Sequence, residues 1–224
     1  MIFGMSEAWR ESYPGAAVGV LAMGSVSNPA SHAAMDSIKE ELEEQIRARF
    51  ADKEELRAQE RLQAYRDYYK RFKKTYHVQL QLESIAFKGK SIPSVAALVE
   101  AMFAAELKNM LLTAGHDLDV VEAPVTLDVA QGHEHYVRIN GQEQELKAGD
   151  MFIADSQGVL SSVIYGPDER TRILPGTRRV LFTVYAPPGI AAEAVQQHLQ
   201  DMEGYVRLIA PQAETELLQV SEAR

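Results

Sequence analysis

Residues 94–119 have the sequence SVAALVEAMFAAELKNMLLTAGHDLD, and two different patterns in this stretch decide the fold. The first half carries apolar residues at helical spacing, which predicts a largely buried helix with Ser94 suited to be its N-cap. The residues of this apolar face are Val95, Leu98, Val99, Met102, Phe103 and Leu107. After Gly115, which permits an abrupt change of direction, the chain changes to short β-like segments.

These downstream segments are rich in β-branched residues and are separated by Gly, Asn and Asp. They cover residues 125–129, 136–139, 151–154, 159–165 and 180–184. Asn140-Gly141 predicts a hairpin turn after the second of them. Pro187-Pro188-Gly189 is expected to close the sheet, and residues 191–202 are expected to form a last helix.

Upstream of Ser94, residues 16–23 form a short apolar run that is suited to a buried strand. A helix is predicted from about Ser31, because apolar residues then recur at a spacing of four. These residues are Ile38, Leu42, Ile46 and Phe50. A second helix is expected from Glu54 into residues 65–72.

Residues 78–82 leave two alternatives open. Their alternation is typical of a half-buried strand, whereas a helix that continues to Phe87 fits nearly as well. No repeat and no long linker divides the chain. The simplest prediction is one α+β domain with a helical N-terminal arm.

The composition is that of an ordinary globular chain, with 46% hydrophobic and 25% charged residues among 224. The absence of cysteine excludes disulfides, zinc–thiolate sites, iron–sulfur clusters and cysteine nucleophiles. No P-loop, dinucleotide-binding glycine pattern or nucleophile-elbow serine occurs, which argues against kinases, Rossmann dehydrogenases and classical hydrolases. Because the chain lacks a signal-peptide pattern and any run of ~20 apolar residues, we expect a cytoplasmic protein.

The net charge of −9 argues against a surface that binds polyphosphate everywhere, but one window is basic. Between Tyr65 and Lys90, seven basic residues stand against Asp67 and Glu83, which gives this window a charge of +5. Its cations alternate with aromatic residues, as in proteins that hold phosphates and stack bases. An amphipathic helix with buried aromatic residues and solvated lysines explains the same pattern and is the more common case.

His116 is followed by Asp117 and Asp119, and such a pairing suits acid/base chemistry because a carboxylate can orient an imidazole. In the structural alternative, Asp117 caps a turn and His116 packs against it. His133-Glu134-His135 is a weak metal signal without a third ligand, and a solvated hairpin edge explains it better. No metal is therefore expected.

The turn Gly166-Pro167-Asp168 leads into charged and hydroxyl side chains up to Arg172. Backbone N–H groups and guanidinium groups in such a turn can hold a carboxylate or phosphate. A surface hairpin held by an ion pair between Asp168 and an arginine explains the segment equally well.

Four segments, in their order and spacing, resemble the B3/B4 editing and tRNA-binding module of the phenylalanyl-tRNA synthetase β subunit, and more closely its stand-alone relatives. They are Lys88-Gly89-Lys90-Ser91-Ile92-Pro93, Gly115-His116-Asp117-Leu118-Asp119, Ala148-Gly149-Asp150-Met151-Phe152-Ile153-Ala154-Asp155, and Thr177 ahead of Val180-Leu181-Phe182. The resemblance implies an α+β, B3/B4-like mixed sheet packed with helices. It divides one compact unit into an N-terminal strand and helical arm (1–73), a core (74–190) and a C-terminal helix and tail (191–224).

In the synthetase, this module hydrolyses tyrosine that is wrongly attached to the phenylalanine tRNA, by positioning a water and the ester. The resemblance thus implies catalysis by orientation and by polar groups around the oxyanion, with no cofactor. Two positions depart from the pattern. Ala114 stands where the motif has histidine, and Thr183 stands where a glutamate recognises the tyrosine hydroxyl, so the amino acid is not expected to be tyrosine.

The first hypothesis is a free-standing aminoacyl-tRNA deacylase that acts in trans, with tRNA and the amino-acid moiety as partners, and that is not itself a ligase. The resemblance and the basic window suggest three groups of residues. They are His116, Asp117 and Thr183 for catalysis, Ser161, Ser162, Tyr165 and Thr171 for substrate binding, and Lys70, Arg71, Lys73, Lys74, Lys88 and Lys90 for tRNA binding. The alternative is a non-catalytic module that binds RNA, a small amino-acid-like ligand or a partner protein. Exposed cations beside an open pocket would favour the first.

Overall fold

A computed structural model describes residues 3–224 of the chain, and it contains helices and strands in a mixed order. The elements are β1 (Phe3–Met5), α1 (Glu7–Ser12), β2 (Ala17–Gly24), α2 (Ala33–Arg49), α3 (Lys53–Arg57), α4 (Glu60–Arg71), α5 (His77–Lys88), α6 (Ala97–Asn109), β3 (Thr113–Asp117), β4 (Val125–Val129), β5 (His135–Val137), β6 (Glu143–Glu145), β7 (Met151–Asp155), β8 (Gly158–Ser162), β9 (Gly166–Pro167), β10 (Val180–Ala186), α7 (Ala192–Ile209) and β11 (Glu214–Glu222). The fold is α+β, as predicted.

A four-stranded antiparallel sheet with the order β11-β2-β10-β3 forms the most deeply buried layer. Every residue of its two central strands, β2 and β10, is buried, which explains their almost continuous apolar sequences. Helix α7 packs on this sheet over Gly19, where a Cβ atom would lie only 2.5 Å from Cγ1 of Val195. Glycine at this position therefore sets how closely the helix approaches the sheet.

A second, five-stranded sheet has the order β1-β4-β7-β8-β9. Its first pair, β1 and β4, is parallel, and the other pairs are antiparallel. Strands β5 and β6 form a separate hairpin, in which Gly141 has a φ of +78°. The Asn140-Gly141 turn is therefore confirmed, since this left-handed conformation favours glycine.

Tyr65 ties α4 to the four-stranded sheet. Its hydroxyl donates to the carbonyl oxygen of Tyr185 in β10 and accepts a hydrogen bond of 2.9 Å from the backbone N–H of Leu112, just before β3. Its ring stacks on that of Tyr76, with centroids 4.2 Å apart. The position of α4 relative to β10 and β3 is thus fixed by contacts within the core.

Several local predictions need correction. Residues 78–82 belong to helix α5, so the helical alternative is the right one. Helix α6 begins at Ala97 rather than Ser94, because the carboxylate of Glu100 accepts the N–H of Val95, while Ser94 accepts from Lys39. The predicted second helix is two helices, α3 and α4, with a break at residues 58–59.

The end of the chain also differs from the prediction. Residues 187–189 do not close the sheet, because β11 adds a further strand beside β2. Helix α7 continues to Ile209 instead of Met202, and β8 ends at Ser162 instead of Tyr165. Gly115 lies within β3 rather than at a change of direction. The reason for glycine there is close packing, as the site shows.

Candidate functional site

A small cavity of about 270 Å³ lies between α6, β3 and the segment from β8 to β9. Its walls are mostly apolar, and its polar lining residues include Glu106, Thr113, Ser162 and Tyr185. A partly enclosed, mainly apolar space with a few convergent polar groups is typical of a small-ligand site. A larger groove of about 510 Å³ beside Asp168 and Arg170 is more open and polar, which is less suited to holding an apolar group.

Gly115 shapes this cavity. A Cβ atom at this position would lie 2.9 Å from Cδ1 of Ile173, 3.2 Å from Cε1 of Phe182 and 3.3 Å from Sδ of Met102. Ile173 and Met102 line the cavity together with Gly115 itself. The missing side chain therefore keeps part of the space open.

Glu106 is the only carboxyl group on the cavity wall within the described residues, and it is 2% exposed. Its Oε1 accepts the backbone N–H of Thr113 at 2.7 Å. Burial raises the pKa of Glu106 to about 8, although this hydrogen bond acts in the opposite direction. At neutral pH the group is mainly a neutral acid, and it can exchange a proton near physiological pH.

A second hydrogen bond of Thr113 connects the wall to helix α7. Its Oγ1 lies 2.8 Å from Nε2 of His198, a fully buried side chain whose pKa burial lowers to about 3. The imidazole is therefore neutral at physiological pH. No positive charge from this side stabilises an ionised Glu106.

Sequence reasoning missed Glu106, yet a signal was present. Glu106 lies seven residues after Val99, four after Met102 and three after Phe103, which places it on the apolar face of α6. A single carboxyl on an otherwise apolar helix face must be buried with the face. Such a group is a candidate for an altered pKa.

The glutamate makes stability depend on pH, which gives a first prediction. An unfolded glutamate releases its proton near pH 4.5, whereas the native Glu106 keeps it up to about pH 8. The native state thus binds more protons in this window, so the free energy of unfolding falls as the pH rises, by up to about 1.4 kcal/mol per pH unit. Glu106→Gln should remove this slope in urea unfolding measured between about pH 5 and pH 8.

Asp150 must be separated from this effect, because burial raises its pKa to about 7 and its contribution has the same sign. The difference between the wild type and Glu106→Gln isolates Glu106, and the exposed Glu11→Gln serves as a charge-matched control. An unchanged slope in Glu106→Gln would show that this carboxyl ionises normally in the native protein.

Three residues predicted for the site, His116, Thr171 and Ser161, do come together, in a buried chain of hydrogen bonds between the two sheets. Nδ1 of His116 lies 2.8 Å from Oγ1 of Thr171, and Nε2 lies 3.3 Å from Oγ of Ser161. The chain continues to the hydroxyl of Tyr185, 2.5 Å from Oγ of Ser161. Since Tyr185 also lines the cavity, the chain ends at the cavity wall.

The carboxylate in this chain is Asp168, which the site prediction did not include. It accepts the hydroxyl proton of Thr171, so Nδ1 of His116 is the donor to Thr171. Asp168 Oδ1 lies 3.7 Å from Nδ1, close enough to favour a proton on that nitrogen. The carboxylate that orients the imidazole is therefore distant in sequence rather than adjacent.

Asp117 and Thr183 occupy other positions. Oδ2 of Asp117 accepts the hydroxyl of Thr177 at 2.6 Å, and Oδ1 accepts the N–H of Asp119, so this carboxylate caps a turn. Thr183 is fully buried, and its hydroxyl has no hydrogen-bond partner among the described residues. Neither residue lines the cavity. Their catalytic roles stay predictions.

The remaining predicted substrate residues are Ser162 and Tyr165. Ser162 lines the cavity, and its Oγ accepts the N–H of Tyr165 at 3.2 Å. The half-buried Tyr165 precedes Gly166 of the cavity wall, and Nζ of Lys74 lies 4.6 Å from the centroid of the Tyr165 ring. Arg138 donates from Nε to the carbonyl oxygen of Tyr165 at 3.1 Å.

The six basic residues of the prediction are all exposed, and none forms an ion pair within residues 3–224. They are Lys70, Arg71, Lys73, Lys74, Lys88 and Lys90. The aromatic residues around the first four are buried, as the structural alternative predicted, so they are not free to stack on bases; they are Tyr65, Tyr68, Tyr69, Phe72 and Tyr76. The two ends of the basic window are also separate, since α5 lies between Lys74 and Lys88.

The described part of the chain contains no group of three His, Cys, Asp or Glu side chains that is arranged to hold a metal ion. No helix in residues 3–224 combines the length and the apolar character needed to cross a membrane.

Comparison with known proteins identifies the family. The fold of a crystal structure of an N-terminal fragment of the phenylalanyl-tRNA synthetase β subunit from Pyrococcus horikoshii aligns with a TM-score of 0.49 and 12% sequence identity, over 98% of this chain and 50% of that one. The present chain thus spans half the length of that fragment. No curated protein sequence matches the present chain. Residues 60–205, well over half of the chain, match the B3/4 domain family, and the chain therefore belongs to that family.

Proposed function

We propose that this protein binds tRNA and hydrolyses the ester bond of a mischarged aminoacyl-tRNA in trans. The observation that carries the proposal is the cavity with one buried, proton-exchanging carboxyl, Glu106, together with exposed cations without ion pairs, of which Lys74 lies three residues before His77 of the cavity wall. A volume of about 270 Å³ suits one amino-acid side chain, because sites for larger ligands are roughly 300–1,000 Å³. The nucleic acid would then lie outside, on these cations.

The cavity also suggests how the ester would be cleaved. A water held near Glu106 would give one proton to the carboxylate while its oxygen attacks the ester carbonyl carbon. The bond to the ribose oxygen then breaks, and this oxygen takes a proton, which yields a free amino acid and an uncharged tRNA. A base with a pKa of about 8 is effective in this role because its pKa lies near the operating pH.

The His116 chain would contribute by positioning. His116 does not line the cavity, but its hydrogen bonds through Ser161 hold the hydroxyl of Tyr185 at the cavity wall. Because Nδ1 of His116 carries the proton, Ser161 donates to Nε2 and Tyr185 donates to Ser161, which leaves the fixed Tyr185 oxygen as an acceptor that can orient the attacking water. We therefore propose a role for His116 and Ser161 through Tyr185 rather than by contact with the substrate.

The test is deacylation of a panel of correctly and wrongly charged tRNAs by the purified protein. We expect hydrolysis of one mischarged pair, with a rate that rises as the pH approaches about 8 and that falls on the order of 10²-fold in Glu106→Gln, because the base is lost. The exposed Glu11→Gln should retain the full rate. A panel without any hydrolysis would contradict the catalytic proposal.

A non-catalytic binding module is the second candidate, and one observation favours it. Ala114 and Thr183, the two positions that depart from the synthetase pattern, are direct partners across β3 and β10. Two neighbouring changes on one buried sheet face are what a lost editing site would leave. In that case the panel would show no hydrolysis, although the protein would still bind tRNA or an amino-acid-like ligand.

A further inference from the structure

Three cations meet around Tyr165, the residue before Gly166 of the cavity wall, and two of them, Arg138 and Lys147, lie outside the basic window of the sequence. Lys74 lies over the ring of Tyr165, and Arg138 is held by the carbonyl oxygen of the same residue. Lys147 donates from Nζ to the carbonyl oxygen of Phe72 at 3.1 Å, two residues before Lys74. The three side chains thus come from different parts of the chain and are partly held in place.

The positive charges of Arg138 and Lys147 repel that of Lys74. Burial lowers the pKa of Lys74, and the charges of Lys147 and Arg138 lower it further. Such mutual repulsion is relieved when an anion binds between the groups. The cluster therefore has a charge arrangement that favours a bound anion.

No carboxylate of the described chain neutralises the cluster. Other arginines do have partners: Arg179 pairs with Asp119 and Glu216, and Arg170 pairs with Asp155. Lys74, Arg138 and Lys147 form no ion pair within residues 3–224.

Two carboxyl groups nevertheless lie nearby. The negative charge of Asp150 raises the pKa of Lys74. However, burial raises the pKa of Asp150 itself to about 7, so near neutral pH this carboxyl carries only part of a charge. The negative charge of Glu145 raises the pKa of Tyr165, and Oε2 of Glu145 lies 4.0 Å from Nε2 of His135. Neither group comes within ion-pair distance of the three cations, so the cluster keeps an excess of positive charge.

We propose that Lys74, Arg138 and Lys147 bind a phosphodiester near the 3′ end of an RNA whose esterified terminal residue enters the cavity. The proposal rests on the proposed function, and it adds the place where the RNA end is held. Tyr165 connects the cation cluster to the cavity. Its ring contacts Lys74, its carbonyl oxygen accepts from Arg138, and its N–H donates to Ser162 of the cavity wall. Two ammonium groups and one guanidinium group provide donors from several sides, which suits a phosphate.

The experiment measures the affinity of an RNA hairpin with a single-stranded CCA end by fluorescence anisotropy at several salt concentrations. Replacing the three residues together, as Lys74→Gln, Arg138→Gln and Lys147→Gln, should weaken binding by at least about tenfold. It should also reduce the salt slope by about 0.7, since one single-strand phosphate contact is lost. A hairpin without the single-stranded end should bind the wild type as weakly as the intact hairpin binds the triple variant.

The matched control removes three other cations that are exposed and without ion pairs, by Arg10→Gln, Lys53→Gln and Arg178→Gln. Equal weakening in the two triple variants would mean general charge attraction, which overturns the proposed subsite and leaves the proposed function standing. Inorganic phosphate or AMP that binds the cluster as tightly as the hairpin would assign it to free phosphates instead. A wild type that binds no RNA would overturn both proposals.

A kinetic measurement separates the subsite from the chemistry. If the wild type hydrolyses a mischarged tRNA, the cluster variant should raise KM and leave kcat nearly unchanged, because the cluster contacts the RNA and not the ester. A fall in kcat with an unchanged KM would overturn the assignment of these cations to RNA binding.

Discussion

Gly115→Val is expected to reduce ester hydrolysis on the order of 10²-fold or more, because the new side chain occupies the space that the amino acid needs. The first atom of that side chain already lies within 3.3 Å of Ile173, Phe182 and Met102. Because Ile173 and Met102 themselves line the cavity, a side chain that displaces them also changes the shape of this space. Gly115→Ala should give a smaller loss of the same kind, and deacylation kinetics with the best substrate of the panel measure both.

Overpacking also costs stability, typically about 1–3 kcal/mol, so the variant must be compared with a suitable control. Gly176→Val adds the same side chain where no atom lies within 4 Å of the new Cβ. Activity should be retained in Gly176→Val and lost in Gly115→Val under conditions where thermal unfolding shows both to be folded. Full activity of a folded Gly115→Val would mean that the cavity does not hold the substrate.

His116→Ala is expected to be the most destabilising single change in the site, lowering the free energy of unfolding by about 3–5 kcal/mol. The substitution leaves a buried void and removes hydrogen bonds from both Thr171 and Ser161. For a chain of this size the corresponding fall in Tm is roughly 10 °C. Differential scanning calorimetry or urea unfolding would measure it.

Thr183→Val provides the contrast. This substitution nearly preserves the volume of the side chain and removes a buried hydroxyl that has no hydrogen-bond partner. The free energy of unfolding of the variant should therefore equal or exceed that of the wild type. A loss of activity without a loss of stability in Thr183→Val would support the catalytic role predicted from the sequence. Wild-type stability of His116→Ala would instead show that the buried chain contributes little to the native state.

The fold could be predicted to the extent that local pattern dictates structure. Buried strands such as β2 and β10 have apolar sequences because both faces are covered, and the Asn140-Gly141 turn follows from backbone conformation. Residues 78–82 were ambiguous because a short run satisfies both periodicities, and the contacts of α5 with the core decide for the helix. Strand β11 was missed because its residues are mostly half-buried and charged at both ends.

The candidate site could be predicted only in part, because its contacts join distant segments. His116, Ser161 and Thr171 were predicted separately and come together, but the partner of the imidazole is Asp168 and the chain ends at Tyr185. Tyr185 lies two residues after Thr183, so alternation along β10 could have indicated that both side chains lie on one face. Arg138 and Lys147 gave no local signal, since only the folded chain brings them to Lys74.

The anchoring of α4 by Tyr65 has a consequence for any long ligand that bridges the basic surface and the cavity. Because Tyr65 is bonded to both Tyr185 and Leu112, the helix that carries Lys70 and Arg71 cannot slide relative to the cavity wall. The spacing between the two regions is therefore set before a ligand arrives, and little conformational freedom is lost on binding. A ligand that reaches from Lys70 and Arg71 to the cavity would therefore have to fit a spacing that the protein core has already fixed.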